Sequence, residues 1–143
     1  MRHEIQAIID NRVQGVKNKD VNQATRDYSP EVILFDIVDP LERQGIEAVK
    51  SRLQEWLASL AEIKNFEIQN SQIQAADDIA FVISFNHIDA VNTNGNQLNM
   101  WWRETTCYRK MNGKWQITHA HSSVPFNPQD GQASLGLKPE RMK

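Results

Sequence analysis

Asp36 stands within a β-branched and aromatic run, Val32 to Val38, where a carboxylate is out of place unless it has a task. Apolar surroundings disfavour the charged form of a carboxylate, and a group so placed can take up and return a proton near neutral pH. The competing account is a structural carboxylate paired with Arg103 or with a histidine. His119 and His121 lie two apart, so on a strand they project from one face together with Trp115, Ile117 and Ser123. Two imidazoles on one face suggest a metal, with His87 or Asp89 as a further ligand, but no third ligand has a recognisable spacing and no metal is expected. The plainer reading is a hydrogen-bonded network of Arg103, Thr105, His119, His121 and Ser123 that fixes strand register, because buried polar groups must pair. Cys107, in mid-strand, fits a small core residue better than a nucleophile.

The elements that position these residues follow from periodicity. From His3 to Lys19, Ile5, Ile8, Ile9, Val13 and Val16 recur at helical spacing and form one apolar stripe. Asp20 can cap a short second helix in which Val21, Ala24 and Tyr28 share a face, with Pro30 marking its end. The strand through Asp36 is closed by Asp39-Pro40. After Gly45, the set Ile46, Val49, Leu53, Trp56, Leu57 and Leu60 predicts a third amphipathic helix, with Lys50, Arg52 and Glu55 on its solvated side. Strands are predicted over 66–76, 79–91, 98–111 and 114–124. Asp77-Asp78 supplies one turn, and Asn94-Gly95 and Asn112-Gly113 are hairpin signals because a type I′ turn needs positive φ at both residues. Three helices followed by an antiparallel meander make an α+β fold, a cone-shaped roll of curved sheet packed against three N-terminal helices. A domain over 1–125 and an extension over 126–143 are expected.

The segment Gly113-Lys114-Trp115-Gln116, then His119-x-His121-x-Ser123, resembles the last strand of SnoaL-like domains and of the association (hub) domain of calcium/calmodulin-dependent protein kinase II. Arg103-x-Thr105 resembles the Arg-x-Thr of many SnoaL-like domains, and residues 45–56 are similar to the family's third helix. The resemblance covers about residues 3–125 and implies the nuclear-transport-factor-like cone fold and a dimer. Ketosteroid isomerases share the fold, and the comparison implies that Asp36 occupies the position of their catalytic base. Their helix-one tyrosine falls near Arg12 here, so their proton-donating pair is not reproduced. Three arginines that line the hub-domain pocket correspond to Asn86, Thr106 and Ser122, which removes the cations of an anion site. By alternation these share a face with Ser84, Trp102, Glu104, Tyr108, Thr118 and Ala120, and the histidines point the other way unless a bulge intervenes. Either face can be argued to be concave.

With 143 residues, 40% hydrophobic, one core is the expectation. A net charge of −2, with both signs scattered, gives no footprint for nucleic acid or anionic membranes. One cysteine makes no internal disulfide, no signal-like or membrane-spanning apolar run is seen, and a cytoplasmic location is expected. No cofactor is implied. Two functions remain. In the first, the cone binds a small, largely apolar carbonyl or polyketide-like compound, with Asp36 as acid or base and Tyr28, Asn86, Trp102, Glu104, Thr106 and Ser122 as ligand-binding residues, in the manner of an isomerase, cyclase or hydrolase. In the alternative, the chain is a non-catalytic association module, and in either case a homodimer through the outer sheet face covers Trp101 or Trp102.

Overall fold

The computed structural model describes residues 1–140, the side chain of Asn70 excepted, so the last three residues of the expected extension lie outside the described residues. Helix α1 (Arg2–Lys17) carries Glu4 in its first turn and Lys17 in its last, each complementing the helix dipole. Helix α2 (Val21–Ala24) is capped by Asp20, whose side chain accepts from the Gln23 N–H at 3.0 Å. Strand β1 (Tyr28–Phe35) starts earlier than Val32 and takes Pro30 into itself. This is tolerated because its pairing with β6 is interrupted between Tyr28 and Ile33, where proline's missing donor costs nothing. Asp36 therefore lies just past the strand, in the loop to the two-residue strand β2 (Arg43–Gln44), which the sequence did not announce. Helix α3 (Ile46–Ala58) is followed by β3 (Leu60–Ala76), β4 (Ile79–Asn92), β5 (Gln97–Met111) and β6 (Lys114–Ser123).

The six strands form one open, curved sheet in the order β2-β1-β6-β5-β4-β3. All neighbours are antiparallel except β1 and β6, which run parallel. Asn112-Gly113 is a tight turn with φ of 53° and 79°, whereas at Asn94-Gly95 only the glycine has positive φ and the loop is longer. The helices cover the concave face in two apolar groups. Ile5, Ile8 and Ile9 of α1 pack with Val32, Val82, Tyr108, Trp115 and Ile117, and Val16, Ala24 and Leu57 pack with Leu60, Phe66, Ile88 and Ala90.

A bulge decides which sheet face is concave. Cys107 pairs with His119 but Tyr108 pairs with Ile117, which leaves Thr118 as an extra residue on β6. Trp115 and Ile117 before it and Ala120 and Ser122 after it are all buried inward, while His119, His121 and Ser123 turn outward. Beyond the sheet, Phe126 bridges Ala133 and the Ser134 N–H reaches the Pro125 carbonyl at 2.8 Å, so the start of the extension folds back on itself. No helix among the described residues is long and apolar enough to cross a membrane.

Candidate functional site

Between the helices and the concave face lies an open cavity of about 350 Å³. Its walls are apolar, dominated by Trp56 of α3, Phe66 of β3 and Trp102 of β5, whose ring centroids are 6.1–6.3 Å apart. An apolar cavity with a few placed polar groups is the usual form of a small-molecule site.

The polar groups come in two sets. The deeper is built on Arg12, which occupies a position in the α1 stripe between Ile8 and Val16 where an apolar residue is expected. Its two terminal nitrogens donate to Glu104 of β5 at 3.2–3.3 Å, and Asn86 of β4 donates to the same carboxylate at 3.1 Å. Ser84 in turn donates to Asn86 at 2.9 Å. Arg12 and Glu104 are only 9% and 7% exposed, and the guanidinium lies over the Tyr28 ring, 5.6 Å from its centroid. Burial alone would lower the pKa of Arg12. The attractions of Glu104, Tyr28 and Tyr108 and the hydrogen bond to Glu104 together outweigh it and hold the guanidinium above the ordinary arginine value. Burial pushes the Tyr28 and Tyr108 phenols up.

The second set is at the rim. Arg52 of α3 donates from Nε to Asp36 Oδ2 at 2.7 Å, and the Ile37 N–H donates to Asp36 Oδ1 at 2.7 Å. Arg52 therefore leaves the solvated side of its helix, and it, rather than Arg103 or a histidine, is the partner of Asp36. Both residues line the cavity.

Of the residues singled out in the sequence, Asp36, Tyr28, Asn86, Trp102, Glu104 and Ser122 line this one cavity. Thr106 is buried but sits off its wall, on the inner row formed with Val82 and Ala120. Arg103, Thr105, His119, His121 and Ser123 lie on the outer face. There Arg103 donates to Ser123 at 3.1 Å, His119 Nδ1 meets the Ile33 carbonyl at 2.7 Å, and both histidine rings meet the Phe35 ring in T-shaped contacts. These five residues do not form one mutually bonded group. His87 stacks on Trp101 and meets Asn99 at 2.7 Å. Among the described residues no three His, Cys, Asp or Glu side chains are grouped to hold a metal. Arg12 and Arg52 were missed as site residues. The signal for Arg12 was a charge inside an apolar stripe, and for Arg52 its place three residues after Val49 and four before Trp56.

A family model for the SnoaL-like domain matches residues 5–127. Among solved structures, an NTF2-like protein of unknown function from Pseudomonas putida KT2440 is 26% identical, with 96% of this chain and 95% of that chain covered and a TM-score of 0.85. A protein assigned as a calcium/calmodulin-dependent protein kinase II association domain from Xanthomonas campestris is 22% identical over 84% of each chain, with a TM-score of 0.72. A candidate dehydratase of the NTF2-like family from Streptomyces avermitilis is 13% identical, covering 85% of this chain and 93% of that one, with a TM-score of 0.73. The last two likenesses bear on fold alone. No curated protein matches the sequence.

Proposed function

The chain belongs to the SnoaL-like domain family, and on that premise we propose that its cone binds a small, largely apolar carbonyl compound and that Asp36 exchanges a proton with it. The observation that carries this reading is an open, apolar cavity with a carboxylate fixed at its rim and hydrogen-bonding groups at its deep end. Arg52 and the Ile37 N–H hold the Asp36 carboxylate in one orientation, as a base acting on a bound C–H group requires. Tyr28 and Ser122 line the same cavity and supply hydroxyls to the ligand's oxygen. Glu104, bonded by Arg12 and Asn86, orients rather than reacts. Screening carbonyl compounds by quenching of tryptophan emission tests binding, since Trp56 and Trp102 are in the wall. On any compound turned over, Asp36→Asn is expected to lower kcat by ~100-fold or more, and an unchanged rate removes Asp36 from the chemistry.

A specific observation also favours self-association. Phe81, Cys107, His119 and Ile33 form one row across β4, β5, β6 and β1, and Ile83, Thr105, His121 and Phe35 form the next. Both rows face outward, and their apolar members are 36–41% exposed. A second copy of the chain laid on this face removes that surface from water.

A further inference from the structure

We infer that the cone selects electrically neutral ligands, and that it does so through two internal ion pairs that cancel one another's charge; the inference rests on the cone-binding reading above. Among the described residues, the charged side chains lining the cavity are Arg12, Arg52, Asp36 and Glu104. Each arginine is bonded to one of the carboxylates, Arg12 to Glu104 at 3.2 Å and Arg52 to Asp36 at 2.7 Å. A ligand carboxylate or phosphate entering this space gives up its hydration and meets no unopposed cation, so its desolvation is not repaid. A ketone or alcohol gives up far less and is satisfied by one hydroxyl, such as that of Ser122.

The pairing also says where the selection resides. Arg12 reaches Glu104 through two nitrogens where both side chains are almost fully buried, so the carboxylate of Glu104 already fills the place that a ligand carboxylate would take. Removing the charge of Glu104 while keeping its shape exposes an unopposed guanidinium to the cavity. The same change at Asp36 frees Arg52 nearer to solvent, where water screens it more.

Calorimetric titration with 2-acetylnaphthalene and 2-naphthoate, which share a ring system and differ as methyl ketone and carboxylate, tests the inference. The wild-type protein is expected to bind the ketone ~100-fold more tightly than the acid. In Glu104→Gln the ratio is expected to move toward the acid by ~100-fold or more. Should that variant not fold, Asp36→Asn is expected to move the ratio in the same direction by ~10-fold. Equal binding of both compounds by the wild type, or an unmoved ratio in a folded variant, overturns charge selection and leaves the cone-binding reading in place. Binding of neither compound removes both.

Discussion

At the scale of single residues, the most exposed assumption of the site is that Arg12 and Glu104 are each tolerable only because of the other. Breaking a buried pair strands a charge. Glu104→Gln or Arg12→Met is therefore expected to lower unfolding stability by about 3–5 kcal/mol, and the double variant Arg12→Met/Glu104→Gln to regain a large part of it, read from urea transitions of all three. Because the folded pKa of Arg12 is raised above an already very high value, the stability conferred by its own charge would be lost only at a pH that is never reached. The tyrosines behave differently. The chain has two, Tyr28 and Tyr108, and burial raises both. Above a pH of about 10 the unfolded chain loses phenolic protons that the folded chain keeps, so stability falls with rising pH, by up to about 1.4 kcal/mol per pH unit for each tyrosine. Spectrophotometric titration is expected to show no tyrosinate absorbance at the ordinary tyrosine midpoint, and then a rise that coincides with loss of tertiary circular dichroism. A normal midpoint for one tyrosine with the fold intact would show that its phenol is open to water.

At the scale of elements, the junction of α1 and α2 has the least room to change. A Cβ added at Gly15 would lie 2.4 Å from the backbone nitrogen of Ala24 and 2.5 Å from its Cα, and a backbone cannot yield as a side chain can. Gly15→Ala should raise intrinsic helix propensity by about 1 kcal/mol. It is nevertheless expected to destabilise the protein by about 1–3 kcal/mol as α2 is pushed off α1, measured by thermal and urea unfolding. A neutral or stabilising result would show that α2 moves away freely. The same elements show what periodicity can reveal. The stripes of α1 and α3, the Asp20 cap and the Asn112-Gly113 turn were all legible, because each is a local pattern with a local physical cause. The end of β1 before Asp36, the parallel pairing of β1 with β6 and the pairing of Asp36 with Arg52 were not legible, because each depends on residues distant in sequence. The conflict over the concave face had a similar origin. Strict alternation cannot put both Ile117 and Ser122 inward, and one extra residue at Thr118, with no distinctive type, reconciles them.

At the scale of the whole molecule, the sheet offers its concave face to the cavity and leaves the outer face without cover from the described residues, with Phe81, Ile83, Ile33 and Phe35 at the two ends of the paired rows and Cys107, Thr105, His119 and His121 between them. A chain carrying such a face is expected to pair with itself, and sedimentation is expected to show a dimer that Ile83→Lys converts to monomer while leaving ligand binding in the cone unchanged, since Ile83 points away from it. Cys107 gives an independent reading because it is the chain's one cysteine and sits in the middle of a row. Burial raises its thiol pKa, so less thiolate is present at pH 8 than in the unfolded chain and alkylation by iodoacetamide is expected to be slower in the folded protein. That slowing acts within one chain and does not change with protein concentration. Cover by a second copy does change with concentration: on dilution through the dimer's dissociation range the alkylation rate is expected to rise severalfold, and in Ile83→Lys to be fast throughout. A rate independent of concentration in the wild type, together with a monomeric sedimentation profile, would mean that no second copy of this chain covers the outer face. The cone would then have to bind its ligand as a single subunit.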